Sequence, residues 1–327
     1  MDHWARIEAA VAGRAVDRIP VALWRHFPED DQDAGKLAAR TLEWQRVWDF
    51  DLVKFMPSGT YSVEDWGAKS VFDGAANGAR AIVESGVKRP EDWRRLARLD
   101  PAKGVLGEQN AALARAAKEL GGSVPILQTV FSPLTTARKL AGEALVEHLR
   151  RNPDALEAGL RIITDVTIEF SLAALEAGAH GLFFATQLAT TDVLTEEEYR
   201  RFGVSFDLRI FEAIKAKTRL NMLHLHGENV MFDLLAGYPV DMINWHDRIT
   251  VPTLKNGLKK IKGAVVGGVE ERNLLVSGST NAVSAQVRDA IAQTGGRRMI
   301  VGPGCVAAIA APEANIRAVV EETRKPI

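Results

Sequence analysis

The feature that most constrains this chain is a rhythm. Eight short apolar runs, each bounded by glycine, proline, asparagine or aspartate, alternate with longer stretches in which apolar residues recur every three or four positions. The runs are Ile19–Trp24, Asp51–Met56, Val124–Val130, Ala179–Phe184, Arg219–His226, Val240–Trp245, Gly263–Gly268 and Arg298–Val301. Continuous short apolar runs suit parallel strands covered on both faces. Between them, Asp154–Ala177 carries Leu156, Leu160, Ile163, Val166 and Phe170 on one helical face. Thr195 with Glu198 has capping-box spacing and predicts a helix running to about Lys217. Ser132-Pro133 pairs an N-cap with a proline at the first helical position, and Pro312 opens the last helix in the same way.

Strands alternating with helices predict an α/β fold, a (β/α)8 TIM barrel, with a doubly wound sheet as the rival. No G-x-G-x-x-G follows the first run, which argues against a dinucleotide-binding version of the rival. The segment Tyr61–Ser85 breaks the rhythm. There Val71–Asp73 and Ala79–Val83 flank a Gly/Ala/Asn turn and predict a small β-hairpin inserted after the second strand. No internal repeat is present, so residues 1–327 read as a single domain.

Composition narrows the function. With 41 basic and 42 acidic side chains the net charge is -1, which lacks the footprint of a nucleic-acid binder. Cys305 is the sole cysteine, so no intramolecular disulfide forms and a reducing compartment is expected. The opening Met1-Asp2-His3-Trp4 lacks a signal-peptide pattern, and no apolar run is long enough to span a bilayer. A cytoplasmic protein with no membrane partner is the expectation.

In a barrel of this type the chemistry gathers at the C-terminal ends of the strands. Arg25, His26, Lys54, Ser58, Gln128, Thr129, Thr186, Gln187, His224, His226, His246, Asp247, Glu270, Glu271 and Cys305 all fall there. Four of the seven histidines therefore share one rim with the thiol. His224 and His226, two apart on a strand, project to one face about 7 Å apart. Cys305 follows Gly302-Pro303-Gly304, whose glycines allow a sharp turn towards the mouth. Two imidazoles and a thiolate suit Zn²⁺ with one open position better than they suit an octahedral oxygen-loving ion. The residues by themselves also allow blander readings, a thiol as a small core hydrophobe and strand-end histidines as structural hydrogen-bonding groups.

Those residues lie where the sequence resembles a known family. Arg6…Val11-Ala12-Gly13…Val16-Asp17-Arg18-Ile19-Pro20-Val21, Arg89-Pro90-Glu91-Asp92-Trp93…Leu96 and Gly302-Pro303-Gly304-Cys305…Ala311-Pro312-Glu313-Ala314-Asn315-Ile316 resemble the uroporphyrinogen decarboxylase superfamily nearly end to end. The decarboxylase branch carries paired arginines in the first loop and an aspartate after the second strand. Here only Arg25 matches, followed by Glu29-Asp30-Asp31, and Pro57 or Ser58 takes the aspartate position. The other branch, zinc-dependent methyltransferases similar to the methylcobamide:coenzyme M methyltransferases, has His-x-Cys before a glycine and a late Gly-Cys turn. His224-Leu225-His226-Gly227 and Gly304-Cys305 match that pattern, with histidine replacing cysteine at 226 and Ala311 standing where threonine is common.

The resemblance implies a zinc site at His224, His226 and Cys305. It implies methyl transfer between a small methylated substrate or thiol and a corrinoid (cobalamin) or tetrahydrofolate carrier, a corrinoid protein as partner, and a homodimer. Glu270, Asp247 and His246 are the expected catalytic or proton-transfer groups. Arg25, Gln187, Phe131 and Trp245 are the expected substrate contacts, Arg25 holding an anion and the aromatics facing the mouth with Phe183 and Phe184. The competing readings are a decarboxylase-type lyase and a non-catalytic corrinoid- or ligand-binding barrel.

Overall fold

A computed structural model describes residues 1–325. Seven parallel strands form one curled sheet: β1 (Val53–Phe55), β4 (Ile126–Phe131), β5 (Gly181–Thr186), β6 (Met222–Leu225), β7 (Met242–Trp245), β8 (Ala264–Val269) and β9 (Met299–Pro303). Between β1 and β4 lies a two-stranded antiparallel ribbon of β2 (Lys69–Val71) and β3 (Ala81–Glu84). Its strands lie two residues or so outside the predicted Val71–Asp73 and Ala79–Val83, because the turn between them is longer than the Gly/Ala/Asn cluster suggests.

Within the large sheet the spatial order follows the chain order, and every pairing is parallel. A doubly wound sheet reverses its order at a switch point; this one does not. The predicted first strand, Ile19–Trp24, is reduced to a single bridge, Val21 with Val301. Pro20 lacks an N–H and limits the ladder. Even so, the segment reaches both edges of the sheet. Ala22 N donates to Val301 O at 2.9 Å, Val301 N to Pro20 O at 2.8 Å, and Asp51 N to Val21 O at 2.8 Å.

The Asp51 carboxylate fixes that segment. It is wholly buried and accepts from Arg6 Nη1 at 2.6 Å, Arg18 Nη1 at 2.7 Å and Val21 N at 2.9 Å, with His3 Nδ1 at 2.9 Å. A buried carboxylate is tolerated only when paired in this way. It joins the first helix (His3–Val11), the bridging segment and the start of β1.

Helices cover the outer face. Pro153–Glu176 matches the predicted amphipathic stretch to within a residue at each end. Ser132 caps Pro133–Ala141 by accepting from Thr135 N at 3.2 Å. Pro312 stands one place before its helix, at the cap of Glu313–Thr323. The Thr195–Glu198 capping box forms as expected, but the predicted single helix to Lys217 is broken. Glu196–Tyr199 passes into a π-helical turn, Arg200–Val204, before Ser205–Ile214 resumes. The Tyr199 ring packs against Gly203 so closely that a Cβ there would stand 2.7 Å from it. No helix among the described residues is long and apolar enough to cross a membrane.

Side chains alternate in and out along each strand. Phe184 faces outward onto Phe211, with ring centroids 4.9 Å apart. Phe183 faces inward, where it meets Trp24 at 5.5 Å and His224 at 5.4 Å. The inward layer near the C-terminal ends runs in register through Phe131, Ala185, His224, Asn244 and Val266. That layer is the floor of the site.

Candidate metal centre

β6 and β7 lie in register, so the inward residues His224 and Asn244 are neighbours. His226 and His246, two residues further along each chain, lie just past the strand ends. The turn after β9 supplies Cys305. The ligand atoms of His224, His226, His246 and Cys305 all lie within 4.8 Å of one another. His226 Nδ1 is 3.5 Å from Cys305 Sγ and 3.4 Å from His246 Nε2. Donors around a tetrahedral Zn²⁺, at bond lengths of ~2.0–2.1 Å for nitrogen and ~2.3 Å for sulfur, stand roughly 3.3–3.6 Å apart. The donor set fits such an ion in kind, and the two pairs that involve His226 stand at that spacing.

Hydrogen bonds set the ring tautomers. Asn244 Nδ2 donates to Val266 O and to Pro303 O, both at 2.9 Å, which leaves Oδ1 as the acceptor facing His224 Nδ1 at 2.7 Å. The proton of neutral His224 is therefore on Nδ1, and Nε2 presents a lone pair. That Nε2 is buried and has no hydrogen-bond partner. A buried nitrogen left bare is costly unless something outside the protein's own groups satisfies it. On the other side, Glu271 Oε1 stands 2.9 Å from His246 Nδ1, and Glu271 Oε2 accepts from Gly304 N at 3.1 Å. The same logic places the His246 proton on Nδ1 and turns Nε2 into the cluster. Metal-ligating histidines are oriented by partners of this kind. Gly304 is required here because a Cβ would stand 2.9 Å from both Glu271 Oε2 and His246 Cα.

The cluster perturbs its own members. Burial alone would raise the Cys305 thiol, but His224 and His226 beside it hold it well below its usual range. Burial disfavours charge on His224 and lowers it despite the sulfur alongside. His246 is opposed by burial as well, yet its bonds to Cys305 and Glu271 push it up to about 9.

The predicted trio of His224, His226 and Cys305 thus comes together, joined by His246, which the sequence reading had assigned to proton transfer. Glu270 and Glu271 exchange the importance expected of them. Glu270 accepts from the backbone N–H groups of Arg272, Asn273 and Leu274 and caps the short helix Leu274–Ser277. Its neighbour Glu271 is the one that reaches the cluster. Asp247 lies outside the cluster, its Oδ1 accepting from Gly268 N at 2.9 Å while Oδ2 sits 3.3 Å from Arg248 Nε. Burial pushes Asp247 up to about 6.

Trp245 is corrected outright as a substrate contact. Strand alternation turns it outward, where it is fully buried against Phe232 at 4.8 Å and donates to Pro252 O at 2.8 Å. Phe184 is core for the same reason. Phe131 faces inward and carries Lys139 Nζ 4.5 Å from its ring centroid. Gln187 follows β5, its backbone N–H bound to Thr135 Oγ1 at 2.9 Å. Arg25 rests on Trp44 at 4.7 Å and on Phe27 at 5.4 Å and donates to Ile309 O at 3.1 Å, so it forms no ion pair with Glu29 or Asp30. With His26 it lines a cavity of about 520 Å³ above the rim.

Sequence reasoning missed Asn244, and placed Glu271 at the rim without giving it a role. Asn244 was legible in principle, since it precedes His246 by two residues as His224 precedes His226. Which of two adjacent glutamates points inward depends on the turn after β8 and leaves no mark in the sequence.

Residues 3–326 match the uroporphyrinogen decarboxylase (URO-D) family over nearly the whole chain, and the protein belongs to that family. Its relatives within the family include methyltransferases. The methylcobamide:CoM methyltransferase MtbA of Methanosarcina acetivorans is 21% identical over 330 residues, covering 97% of this chain and 96% of its own. The methylated-thiol–coenzyme M methyltransferase of Methanosarcina mazei is 25% identical over 212 residues, 64% of this chain and 55% of that protein. Among solved structures, a methyltransferase from Methanosarcina mazei superposes with a TM-score of 0.86 at 21% identity, covering 99% of this chain and 98% of that one. A B12-independent methionine synthase from Shewanella sp. W3-18-1 shares the fold at a TM-score of 0.61 and 15% identity, covering 97% and 96%.

Proposed function

We propose that the protein is a zinc-dependent methyltransferase. It moves a methyl group between a small methylated substrate or thiol and a corrinoid or folate carrier. The reading includes a single (β/α)8 domain closed by the Pro20–Ala22 segment, a corrinoid protein as partner, a homodimer, and a cytoplasmic setting. The observation that carries it is the convergence of His224, His226, His246 and Cys305 with a bare, buried His224 Nε2 aimed among them.

In this reading His224, His246 and Cys305 hold the ion, with His226 as the fourth donor. Bound zinc supplies acidification of a substrate thiol, so that a thiolate is available at neutral pH. The remaining work belongs to the chain. Asn244 and Glu271 keep a proton on each Nδ1 and fix the ring planes, while the turn at Gly304 aims the sulfur. His226 is the one imidazole of the three without a partner outside the cluster among the described residues, and it is partly exposed. It is therefore the donor freest to yield its place to a substrate.

The lyase reading finds no support in the first loop. Arg25 is bonded to Ile309 O, and Asp31 is paired with Arg80 at 3.0 Å, so no pair of free arginines awaits a polycarboxylate there.

The test is metal analysis of the purified protein beside His224→Ala, His226→Ala, His246→Ala and Cys305→Ala, followed by methyl-transfer assays with methylcobalamin and thiol acceptors. One zinc per chain in the wild type, lost in the His224 and Cys305 variants, is expected. Unchanged zinc in those variants, or metal-free protein that decarboxylates uroporphyrinogen, overturns the reading.

A further inference from the structure

A buried polar network stands on the outer face of the sheet, directly behind the His/Cys cluster. Thr186 ends β5 and is paired with Leu225 of β6. Strand alternation turns its side chain outward, away from the layer that holds His224. The Thr186 hydroxyl donates to His224 O at 2.9 Å, and the Thr186 carbonyl accepts from His226 N at 2.9 Å. One residue therefore grips the backbone of both imidazole-bearing positions, on either side of Leu225. The second bond carries the pairing one residue beyond β6, which ends at Leu225.

Thr186 is itself held from behind. Tyr199 is wholly buried, with the hydroxyls of Thr186 and Ser132 beside its phenol oxygen. Tyr199 OH donates to Asp207 Oδ2 at 3.1 Å, and Tyr238 OH donates to the same oxygen at 2.9 Å. The π turn at Arg200–Val204 is what lets Tyr199 and Asp207 meet. In an uninterrupted α-helix, residues eight apart stand about 80° apart around the axis. The extra residue of the π turn makes them the equivalent of seven apart, only about 20° from alignment.

This arrangement is costly. Among the described residues Asp207 Oδ1 finds no partner, and burial pushes the carboxyl up to about 7. An apolar layer would cover the strands without that penalty. Buried networks rigidify what they hold, and this one ends on the two backbone groups that set the spacing of His224 and His226.

We infer that Thr186 is a positioning residue of the His/Cys centre: its hydroxyl and carbonyl fix the His224–His226 backbone, and Tyr199, braced on Asp207, keeps the hydroxyl in place. Calling the two imidazoles zinc ligands rests on the zinc reading; the grip on their backbone does not.

The full chain is compared with Thr186→Val, which keeps the shape and loses the hydroxyl, Thr186→Ser, which keeps the hydroxyl, and Tyr199→Phe. Zinc affinity is measured by competition with a chromophoric chelator, and the geometry of the centre by the visible bands of the cobalt(II)-substituted protein. The ring-nitrogen resonances of the metal-free, ¹⁵N-histidine-labelled chain report on the imidazoles without any metal. Thr186→Val should weaken zinc binding about tenfold and shift the cobalt bands. It should also move the resonances of His224 and His226 while leaving those of His3 and His180 in place. Thr186→Ser should restore all of these, and Tyr199→Phe should move them in the valine direction by less. A lower unfolding midpoint with unchanged zinc affinity, bands and resonances would make Thr186 structural and overturn the assignment. So would a serine variant as impaired as the valine one, since packing would then be the cause. Should Thr186→Val fail to fold, Tyr199→Phe carries the comparison, and a phenylalanine variant identical to wild type would overturn the bracing. If wild type takes up neither zinc nor cobalt, the metal reading falls, and the histidine resonances alone decide on Thr186.

Discussion

Asn244 is where the fold and the site are most tightly joined, and Asn244→Leu is the sharpest test of that coupling. The side chain is fully buried and makes three hydrogen bonds, to His224 Nδ1 at 2.7 Å and to the carbonyls of Val266 and Pro303 at 2.9 Å. Leucine has the same branching and is larger, so no cavity opens; the loss is one of polar satisfaction, with some overpacking added. Three buried groups lose their partner, each at a cost of about 1–3 kcal/mol, and partial relaxation of the backbone recovers some of it. A destabilisation of about 3–5 kcal/mol follows. In chemical denaturation this appears as a lower midpoint with an unchanged slope. The same change releases the His224 tautomer, and loss of such an orienting partner typically weakens metal affinity by about 10–100-fold. Zinc affinity is measured by competition with a chromophoric chelator under conditions where the variant is folded. A variant within about 1 kcal/mol of wild type that also keeps its zinc affinity would refute the reasoning.

Three further outcomes follow from the same geometry. Asp207 accepts from Tyr199 and Tyr238 at 3.1 and 2.9 Å, and burial pushes it up to about 7 from 3.8. The native state therefore holds a proton there that the unfolded chain releases, and stability falls as pH rises from about 4 to 7, by at most about 4 kcal/mol; Asp207→Asn should flatten that decline in denaturation curves, and an unchanged slope would count against it. Glu271→Gln should weaken zinc binding by about tenfold with little loss of helix or strand signal in circular dichroism, because it loosens only the hold on His246 and on the Gly304 turn; equal zinc affinity in the two proteins would contradict this. Gly304→Ala drives a methyl group against Glu271 and His246, and should lower zinc content more than Ala311→Thr does, as read by metal analysis of the two side by side.

Much of the frame was legible because burial on both faces leaves short apolar runs. Seven of the eight runs overlap real strands. The exception is the segment at Ile19–Trp24, where Pro20 removes a ladder donor and only one bridge survives. The interrupted helix after Thr195 was illegible because its break depends on the contact between Gly203 and Tyr199, and glycine alone does not announce a π turn. At the site, two-residue spacing was enough to pair His224 with His226. Assigning His246 to the same cluster needs the register between β6 and β7, which is a tertiary fact. The misplacement of Trp245 has the opposite cause. It sits beside His246 in sequence, and strand alternation sends the two side chains to opposite faces.

The bridge between Val21 and Val301 also governs when the centre can exist. It joins the beginning of the chain to its last strand, so during synthesis the contact cannot form until that strand has left the ribosome. Cys305 lies four residues beyond Val301, in the turn that directly follows β9. Formation of that bridge and arrival of the sulfur are therefore almost one event, and a nascent chain halted just short of it carries the imidazoles without the thiol that completes the set.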